Sequence, residues 1–291
     1  MDRTTRLRDP ACAIAQSLDV VGDWWSLLVL RDVARGLHRF EELRSSLGVS
    51  RKVLTERLVG LVGHGVLERR PYTDRPPRSE YVLTELGRGL LPVLVALQDW
   101  GDRWLMGDGS TTATAAPDSA EARRVHSLVG TRIPVLEGFD PVSATPWTVL
   151  YCYPGTGLGA AGVPGAAGCT LESCTYRDRL AEFAALGATV HGVSTQTPAE
   201  QAAFAAAERI RFPLLSDSDL ELATALRLPT FRAAGTARLK RLTLVVDAAR
   251  TVRGVLYPIP DVTGSVEDAL GLVRRLTLPH DRAQNGPHEQ G

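Results

Sequence analysis

The stretch SRKVLTERLVGLVGHGVLERRPYTDRPPRSEYVLT, residues 50–84, decides how the first half of the chain folds. Ser50 is a residue type that caps helix N-termini. Behind it, apolar residues recur at helical spacing, namely Val53, Leu54, Leu58, Leu61 and Val62. Two β-prone segments, 66–69 and 81–84, then flank the loop PYTDRPPRS, which is too irregular for a tight two-residue turn. The pattern predicts a helix followed by a β-hairpin with a basic tip.

Two more helices are predicted before Ser50. Residues 24–30 form an apolar helical segment that Gly36 ends, and residues 40–47 carry apolar side chains at helical spacing. A tight turn at Gly48 separates the second of these helices from the one that follows Ser50. Helix, tight turn, helix and hairpin, in that order, are typical of a winged helix-turn-helix, an α+β fold that binds DNA.

A long apolar helical face follows the hairpin. It extends over residues 86–104, and Pro92 is predicted to interrupt or kink the helix. The face includes Leu94, Leu97 and Trp100. It exceeds what so small a domain buries internally, which indicates a contact with another surface.

The residues that would contact DNA lie on the helix after Ser50 and on the hairpin tip. The helix is predicted to enter the major groove and the tip to reach a neighbouring groove or the backbone. Candidate contact residues are Ser50, Arg51, Lys52, Thr55, Arg57, Arg75 and Arg78. The whole chain has no net charge, but residues 39–78 contain nine basic and five acidic side chains. DNA binding therefore depends on this local patch, and the alternative is a set of solvated surface charges.

The first half resembles the HxlR-type winged helix-turn-helix transcriptional regulators over residues 10–105. The segments that carry the resemblance are CAIAQSLDVVGDWWSLLVLRDVARGLHRFEELRSSL, SRKVLTERLVGLVGHGVLERR, PPRSEYVLTELGRGLLPVL and DWGDRW. The resemblance implies a homodimer formed through the terminal helices, with a two-fold double-stranded DNA operator as partner.

Cys12 is a candidate redox sensor on the same grounds. Some members of that family sense thiol-reactive electrophiles or oxidants through a cysteine at this N-terminal position, and Cys12 occupies it. The alternative is a small cysteine packed beside a helix and chemically inert.

Strands and helices alternate in the second half, which favours an α/β domain with parallel strands. Predicted strands cover residues 148–153, 189–194 and 242–246, and a helix is predicted from about 170 to 186. Thr197, Pro198 and Glu200 form a capping box for another helix. The predicted organisation is multidomain, with the bounds 1–106 (DNA binding and dimerisation), 107–130 (linker), 131–278 (α/β domain) and 279–291 (disordered tail).

Cys169 and Cys174 are spaced for thiol chemistry. Cys169 follows a glycine-rich loop and begins a predicted helix, where unpaired N–H groups and the helix dipole lower the pKa of a thiol. Cys174 is five residues further on, so the two Cα atoms would lie about 8–9 Å apart, beyond the roughly 7 Å limit for a disulfide. A disulfide would require the first helical turn to unwind, as for an attacking and a resolving thiol. The alternative is two unrelated small residues on a helix.

Residues 146–276 resemble the peroxiredoxins, in particular the atypical two-cysteine peroxiredoxin Q group. The matching segments are VLYCYPGTG, GCTLESC, YRDRLAEFAALGATVHGVSTQTPAEQAAFAAAERIRFPLLSDSDLELATALRLPTF and RLTLVVD. The resemblance implies a thioredoxin-like fold, a peroxide substrate, a thioredoxin-like reductant and no bound cofactor. It implies that Cys169 is the peroxidatic and Cys174 the resolving cysteine, and that Arg241 holds the thiolate and polarises the peroxide. A guanidinium suits both tasks because it stays charged and has several donors.

The sequence departs from that family just before the reactive cysteine. The family has a proline seven residues before it and a threonine three residues before it, but this chain has Gly162 and Ala166. Pro154 and Thr156 look like the start of the motif, separated from Cys169 by an insertion. Because loss of such a hydroxyl costs about 10²-fold in rate, slow peroxidase activity and a different oxidant both stay open.

Other sites are not indicated. The six histidines show no metal-binding spacing, and no phosphate-binding loop is present. No apolar run approaches the roughly 18 to 20 residues of a membrane span, and the first ten residues lack the apolar stretch of a secretory signal. Cys152 lies in an apolar strand and is predicted to be a buried core residue. We therefore expect a cytoplasmic protein with no metal and no membrane partner.

The two halves together predict a dimeric transcriptional regulator that responds to peroxide through a thiol–disulfide cycle of Cys169 and Cys174. Oxidation is expected to change the affinity for DNA. One alternative is a thioredoxin-dependent thiol peroxidase with an accessory DNA-binding domain. The other is a regulator whose redoxin domain has lost catalysis and serves assembly or ligand binding.

Overall fold

The computed structural model describes residues 11–74, 77–106, 112–157, 163, 165–233 and 235–277. The first domain contains, in chain order, α1 (Ala13–Val21), α2 (Trp24–Ala34), α3 (Phe40–Leu47), α4 (Arg51–Gly63), β1 (Leu67–Asp74), β2 (Pro77–Leu83), α5 (Glu85–Arg88) and α6 (Leu91–Trp104). The order is the one predicted for a winged helix-turn-helix. Its core is apolar and includes Leu30, Leu43, Leu54, Leu58 and Leu61.

Two local features fix the helix-turn-helix. Gly48 ends α3 with a φ of 63°, a left-handed conformation that glycine adopts without strain. Ser50 caps α4, and its Oγ accepts a hydrogen bond from the backbone N–H of Val53 at 3.3 Å. The chain therefore turns tightly between α3 and α4, as the sequence predicts.

The hairpin differs from expectation, whereas the following helix agrees with it in part. Strands β1 and β2 pair as far as Asp74 opposite Pro77, so two residues connect them. The prediction of a long irregular loop at this place is therefore wrong. A bulge between Pro71 and Thr73 accommodates the proline-containing stretch, because a bulge leaves backbone groups out of the ladder. The predicted helix is interrupted just before Pro92, between α5 and α6, as one of the two predicted outcomes. Pro92 lies in the first turn of α6, where a missing N–H costs nothing, so α6 itself is not kinked.

The segment between the two halves contains helix α7 (Ala120–His126). The linker predicted over 107–130 is therefore structured in part, although the domain bounds stay predictions. Ser119 caps α7 by accepting a hydrogen bond from the N–H of Ala122 at 3.0 Å. Ala122 and Val125 are fully buried, so apolar packing holds the helix in place.

The second domain is built on a five-stranded sheet. Its elements are β3 (Trp147–Cys152), α8 (Cys169–Asp178), α9 (Leu180–Ala185), β4 (Ala188–Ser194), α10 (Pro198–Glu208), β5 (Leu214–Ser216), α11 (Glu221–Leu226), β6 (Thr230–Ala233), β7 (Thr236–Leu239), β8 (Leu242–Asp247), β9 (Val252–Leu256) and α12 (Gly264–Thr277). The sheet order is β5-β4-β3-β8-β9. Strands β3, β4 and β5 are parallel, while β8 pairs antiparallel with both β3 and β9. Apolar clusters cover both faces, one around Val149 and Phe183 and the other around Leu150 and Leu244.

Two elements near the site differ from the sequence prediction. The helix predicted over 170–186 is divided at Arg179 into α8 and α9. The hairpin of β6 and β7, which the prediction omitted, leads directly to Lys240 and Arg241 before β8 begins.

Candidate functional site

Cys169 is the first residue of α8 and is 3% exposed. Gly168 precedes it with a φ of 95°, and a Cβ at this glycine would lie 3.1 Å from Cγ2 of Val262. A larger residue at position 168 would therefore strain the backbone and crowd Val262. This glycine lets the chain enter α8 with the cysteine turned into the domain.

Two polar groups contact the Cys169 sulfur. Arg241 donates from Nη2 to Sγ at 3.5 Å, and the thiol donates to the carbonyl oxygen of Ala166 at 3.6 Å. The same Nη2 donates to the carbonyl of Ala167 at 3.0 Å, which fixes the guanidinium across the loop before α8. Arg241 is almost fully buried, because the fold brings the start of β8 beneath the N-terminus of α8.

Glu172 forms a buried cluster with Cys169 and Arg241. The sequence alone did not identify this residue. It lies one helical turn after Cys169, is fully buried and forms an ion pair with Nη1 of Arg241. Its other oxygen, Oε1, is buried without a hydrogen-bond partner among the described residues. Burial raises the pKa of Glu172 to about 7, and the charge of Arg241 opposes that rise. The only sequence signal was an acidic residue on the cysteine's helical face.

The thiol of Cys169 does not have the lowered pKa expected from its place at a helix N-terminus. Burial raises its pKa, while the charge of Arg241 lowers it and the neighbouring Glu172 raises it. A hydrogen bond from the backbone of Gly155 also favours the thiolate. Desolvation outweighs the guanidinium because the sulfur lies inside the domain.

Cys174 lies on the same continuous helix and is partly exposed. Its Sγ is 3.5 Å from Oε2 of Glu208 on α10. Burial and Glu208 raise the pKa of Cys174, while Arg177 lowers it. Both cysteines are free thiols, and helical geometry holds their Cα atoms about 8–9 Å apart. A bond between them requires the first turns of α8 to unwind.

In the described part of the divergent loop, the position three residues before Cys169 is an alanine and supplies no hydroxyl. Ala166 is buried and contributes only its carbonyl oxygen, while Gly162 lies outside the described residues. Thr156 is held instead by Gln196, which donates to Thr156 Oγ1 at 3.1 Å and accepts from its N–H at 3.0 Å. The first part of the divided motif thus returns to the site, where the backbone of Gly155 hydrogen-bonds to Cys169.

Four of the predicted DNA-contacting residues share an exposed surface on the first turns of α4. These are Ser50, Arg51, Lys52 and Thr55. Arg51 extends towards Glu41, with its Nη2 2.5 Å from Oε1, and packs over the ring of Phe40. Arg78 is exposed at the start of β2. Arg75 lies outside the described residues.

Arg57 does not share this surface. Its side chain is 15% exposed and its Nε lies 3.1 Å from Oδ1 of Asp23, the residue that caps α2. Its position on α4 turns it towards the domain, so Arg57 does not belong to the proposed DNA-contacting surface.

Each half of the chain matches a known protein family. Residues 20–108 match the HxlR-like helix-turn-helix family. An HTH-type transcriptional regulator from Synechocystis is 43% identical over 95 residues, which cover 32% of this chain and 70% of that protein. The chain belongs to the HxlR-like helix-turn-helix family. A regulator of the same description from Mycobacterium bovis is 43% identical over 93 residues, and the HxlR-like half spans 59% of that relative's length and 32% of this chain.

The second half of this HxlR-like protein is an AhpC/TSA domain. Residues 143–255 match the AhpC/TSA family, and the sheet described above is that of a thioredoxin-like fold. Among solved structures, the peroxidoxin BcpB from Mycobacterium tuberculosis is 34% identical, with 45% of this chain and 79% of that one covered and a TM-score of 0.38. The two family matches and the observed sheet confirm both resemblances and the two-domain fold predicted from the sequence.

The remaining cysteines of the HxlR-like chain differ in environment. Cys152 is buried on the opposite face of β3 from Cys169, as its apolar strand predicts, and burial raises its pKa. Cys12 precedes α1 and is partly exposed. Its role as a sensor stays a prediction.

The described ranges of this HxlR-like chain contain no group of three or more His, Cys, Asp or Glu residues arranged to hold a metal ion. Within the same ranges, no single helix has the length and apolar character to cross a membrane. Helices α1 and α2 meet that criterion only together, and they are bent by 73° relative to each other.

Proposed function

We propose that this protein is a DNA-binding transcriptional regulator whose operator affinity changes when a peroxide oxidises Cys169 and Cys174. The observation that carries the proposal is the buried cluster of Cys169, Arg241 and Glu172 at the start of α8, with a second free thiol on the same helix. In this arrangement a reactive sulfur is linked to a helix that must change shape when it reacts.

The chemistry uses the two thiols as a two-electron reductant. The Cys169 thiol loses its proton, and the thiolate attacks one peroxide oxygen, so that an S–O bond forms and the O–O bond breaks. The leaving alkoxide or hydroxide takes up that proton and departs as an alcohol or water. Cys174 then attacks the sulfenic sulfur, which forms the disulfide and releases water. A thioredoxin-like dithiol returns both cysteines to thiols. Arg241 favours the thiolate and offers donors to the developing oxyanion.

The exposed surface on α4 is the proposed DNA interface. Ser50, Arg51, Lys52 and Thr55 would enter the major groove, while Arg75 and Arg78 would reach the flanking backbone from the wing. A two-fold operator requires two copies of this helix, and we propose a homodimer. The exposed apolar side chains of α1 and α6 support it, namely Ile14, Leu18, Val93, Leu97, Trp100 and Trp104.

A DNA partner and a thioredoxin-like reductant would both be met in the cytoplasm, where we propose that the protein acts. The test is peptide mapping of all four cysteines after one equivalent of hydrogen peroxide, followed by operator binding of the reduced and oxidised forms at one salt concentration. We expect a Cys169–Cys174 disulfide and a changed Kd. An oxidised protein that binds the operator as the reduced protein does would overturn the regulatory proposal.

The thiol peroxidase with an accessory DNA-binding domain is the second candidate. The presence of both cysteines and Arg241 in one domain favours it. Steady consumption of peroxide with thioredoxin, unaffected by operator DNA, would support it over the regulator. If Cys169→Ser changes neither peroxide consumption nor regulation, the domain is a non-catalytic assembly or ligand-binding module.

A further inference from the structure

Helix α7 lies between the regions that match the two families and touches both halves of the chain. One face of it is buried, including Glu121, Ala122 and Val125. Two of its charged side chains, Glu121 and Arg124, are one helical turn apart and point to different partners. We infer that α7 is the coupling element that carries the redox state of Cys169 to the dimerisation helix α6, an inference that rests on the proposed function.

The first link connects α7 to the redox site. Both carboxylate oxygens of Glu121 accept hydrogen bonds from Nζ of Lys240, at 2.8 and 2.9 Å. The hydroxyl of Tyr257 donates to the same carboxylate. Lys240 is fully buried and directly precedes Arg241, so the backbone that carries the site's guanidinium is anchored to α7. A buried ion pair resists separation because either charge left alone would be uncompensated.

The second link connects α7 to α6. Nη2 of Arg124 is 3.4 Å from Oδ2 of Asp102, which is buried on the last turns of α6. Nη1 of Arg124 donates to the carbonyl of Arg227 at 2.7 Å, and the guanidinium of Arg227 also pairs with Asp102. The opposite side of α6 exposes Leu97, which belongs to the proposed dimer face. A movement of α7 would therefore act on the helix that sets the dimer geometry.

A third contact transmits unwinding of α8 to the chain that enters α7. Ala113 and Ala166 are buried in one small apolar cluster with Phe231. Thr114 lies so close to the loop that a Cβ at Gly165 would be 2.3 Å from its Cγ2. Because a Cys169–Cys174 disulfide requires the first turns of α8 to unwind, the loop at residues 165–168 must shift against this segment. Packed elements of this kind change between discrete arrangements rather than deform continuously.

Arg124→Gln in the full-length protein tests the inference. Its side chain is 16% exposed, and the neutral amide keeps a polar group at the site. The operator Kd is measured for the reduced and the disulfide form at fixed salt, together with the rate at which peroxide oxidises Cys169. We expect an unchanged oxidation rate and a ratio of the two Kd values that falls to about one. A variant that keeps the wild-type ratio overturns the inference.

Arg88→Gln is the matched control, since Arg88 forms an interdomain ion pair with Glu137 that does not involve α7. We expect this variant to keep the wild-type ratio of the two operator Kd values. A ratio that falls to about one in Arg88→Gln as well would overturn the specific role of α7. If the wild-type protein itself shows a ratio of one, the proposed function has failed and the inference falls with it. The two failures are therefore distinguished by the wild-type measurement.

A second measurement tests the same coupling from the redox side. Coupling between two equilibria is reciprocal, so saturating operator DNA must shift the reduction potential of the Cys169–Cys174 disulfide. Each tenfold in the wild-type Kd ratio corresponds to about 30 mV for this two-electron couple. We expect that shift in the wild-type protein and its loss in Arg124→Gln. An equal shift in both proteins would overturn the assignment of α7.

Discussion

Cys169 and Glu172 lie one helical turn apart, and both contact the guanidinium of Arg241. One buried cation therefore faces two groups that can each carry a negative charge. Ionisation of either group disfavours ionisation of the other, which is why the pKa of Cys169 is raised by Glu172 as well as by burial. The reactivity of the thiol is set by this competition.

Neutralising the carboxyl should favour the thiolate. In Glu172→Gln the competing negative charge is removed and Arg241 is left to Cys169, so we expect the pH midpoint of Cys169 alkylation to move to lower pH. The measurement is the rate of modification of Cys169 as a function of pH. Glu208→Gln is the control, because Glu208 contacts Cys174 and should leave that midpoint in place. A midpoint that stays put or rises in Glu172→Gln would contradict the competition.

Stability should depend on pH through the same carboxyl. The pKa of Glu172 is about 7 in the folded protein, against 4.5 for an ordinary glutamate, so the folded state holds the proton more tightly. The contribution of this group to the free energy of unfolding is therefore complete below the lower pKa and is lost as pH rises through the higher one. Denaturant unfolding across that window should show a fall that Glu172→Gln reduces. An unchanged slope in the variant would refute this assignment.

Removing the guanidinium should slow the oxidation of Cys169. Arg241→Met takes away the charge that favours the thiolate and the donors available to the peroxide, and we expect the rate to fall by about 10²-fold. Stopped-flow kinetics with hydrogen peroxide measure it. Arg253→Met, at a half-exposed arginine on β9, controls for the loss of a positive charge and should react as the wild type does. A rate within twofold of wild type in Arg241→Met would show that Arg241 is structural only.

Substitutions on α4 should distinguish a residue that contacts DNA from a residue that stabilises the fold. We expect Lys52→Ala to weaken operator binding by about tenfold and to reduce the salt slope by about one, as for the loss of one phosphate contact. Arg57→Met should instead lower the melting temperature, because it removes the partner of Asp23. Fluorescence anisotropy at several salt concentrations checks the first result. Arg274→Ala, an exposed arginine of α12, should bind as the wild type does.

The apolar face of α6 should be required for dimer formation. Leu97→Glu introduces a charge into that exposed face, and we expect sedimentation to show a monomer whose affinity for the two-fold operator is reduced. Val129→Glu, at an exposed apolar residue outside α6, is the control for an added negative charge. A monomeric wild-type protein, or a dimer that tolerates Leu97→Glu, would place the dimer contact elsewhere.

Local sequence signals predicted most of the fold. Ser50 and Gly48 fixed the ends of neighbouring helices through a side-chain cap and a positive φ, both of which depend on few neighbouring residues. The capping box at Thr197 likewise located the start of α10. Prediction was poorer where tertiary contacts decide, as in the wing, whose strands continue through the proline-rich stretch because a bulge accommodates Pro71.

The sequence predicted Cys169, Cys174 and Arg241 through the resemblance, but it did not predict Glu172 or α7. Glu172 is an ordinary acidic residue of a helix until the fold buries it beside Arg241. The segment that contains α7 is predicted to be a linker because the residues around it are small and polar. The helix is stabilised instead by burial between the two halves. The Cys169 pKa was expected to be low because the helix N-terminus is visible in the sequence and desolvation is not.

The measurement that tests the regulatory claim most directly is the operator Kd of the wild-type protein, reduced and then carrying the Cys169–Cys174 disulfide, at one salt concentration. Peptide mapping of the same samples establishes which cysteines are oxidised. The proposed coupling predicts Kd values that differ by about tenfold or more, with the difference reversed by a thioredoxin-like reductant. Equal Kd values for the two mapped forms would contradict it.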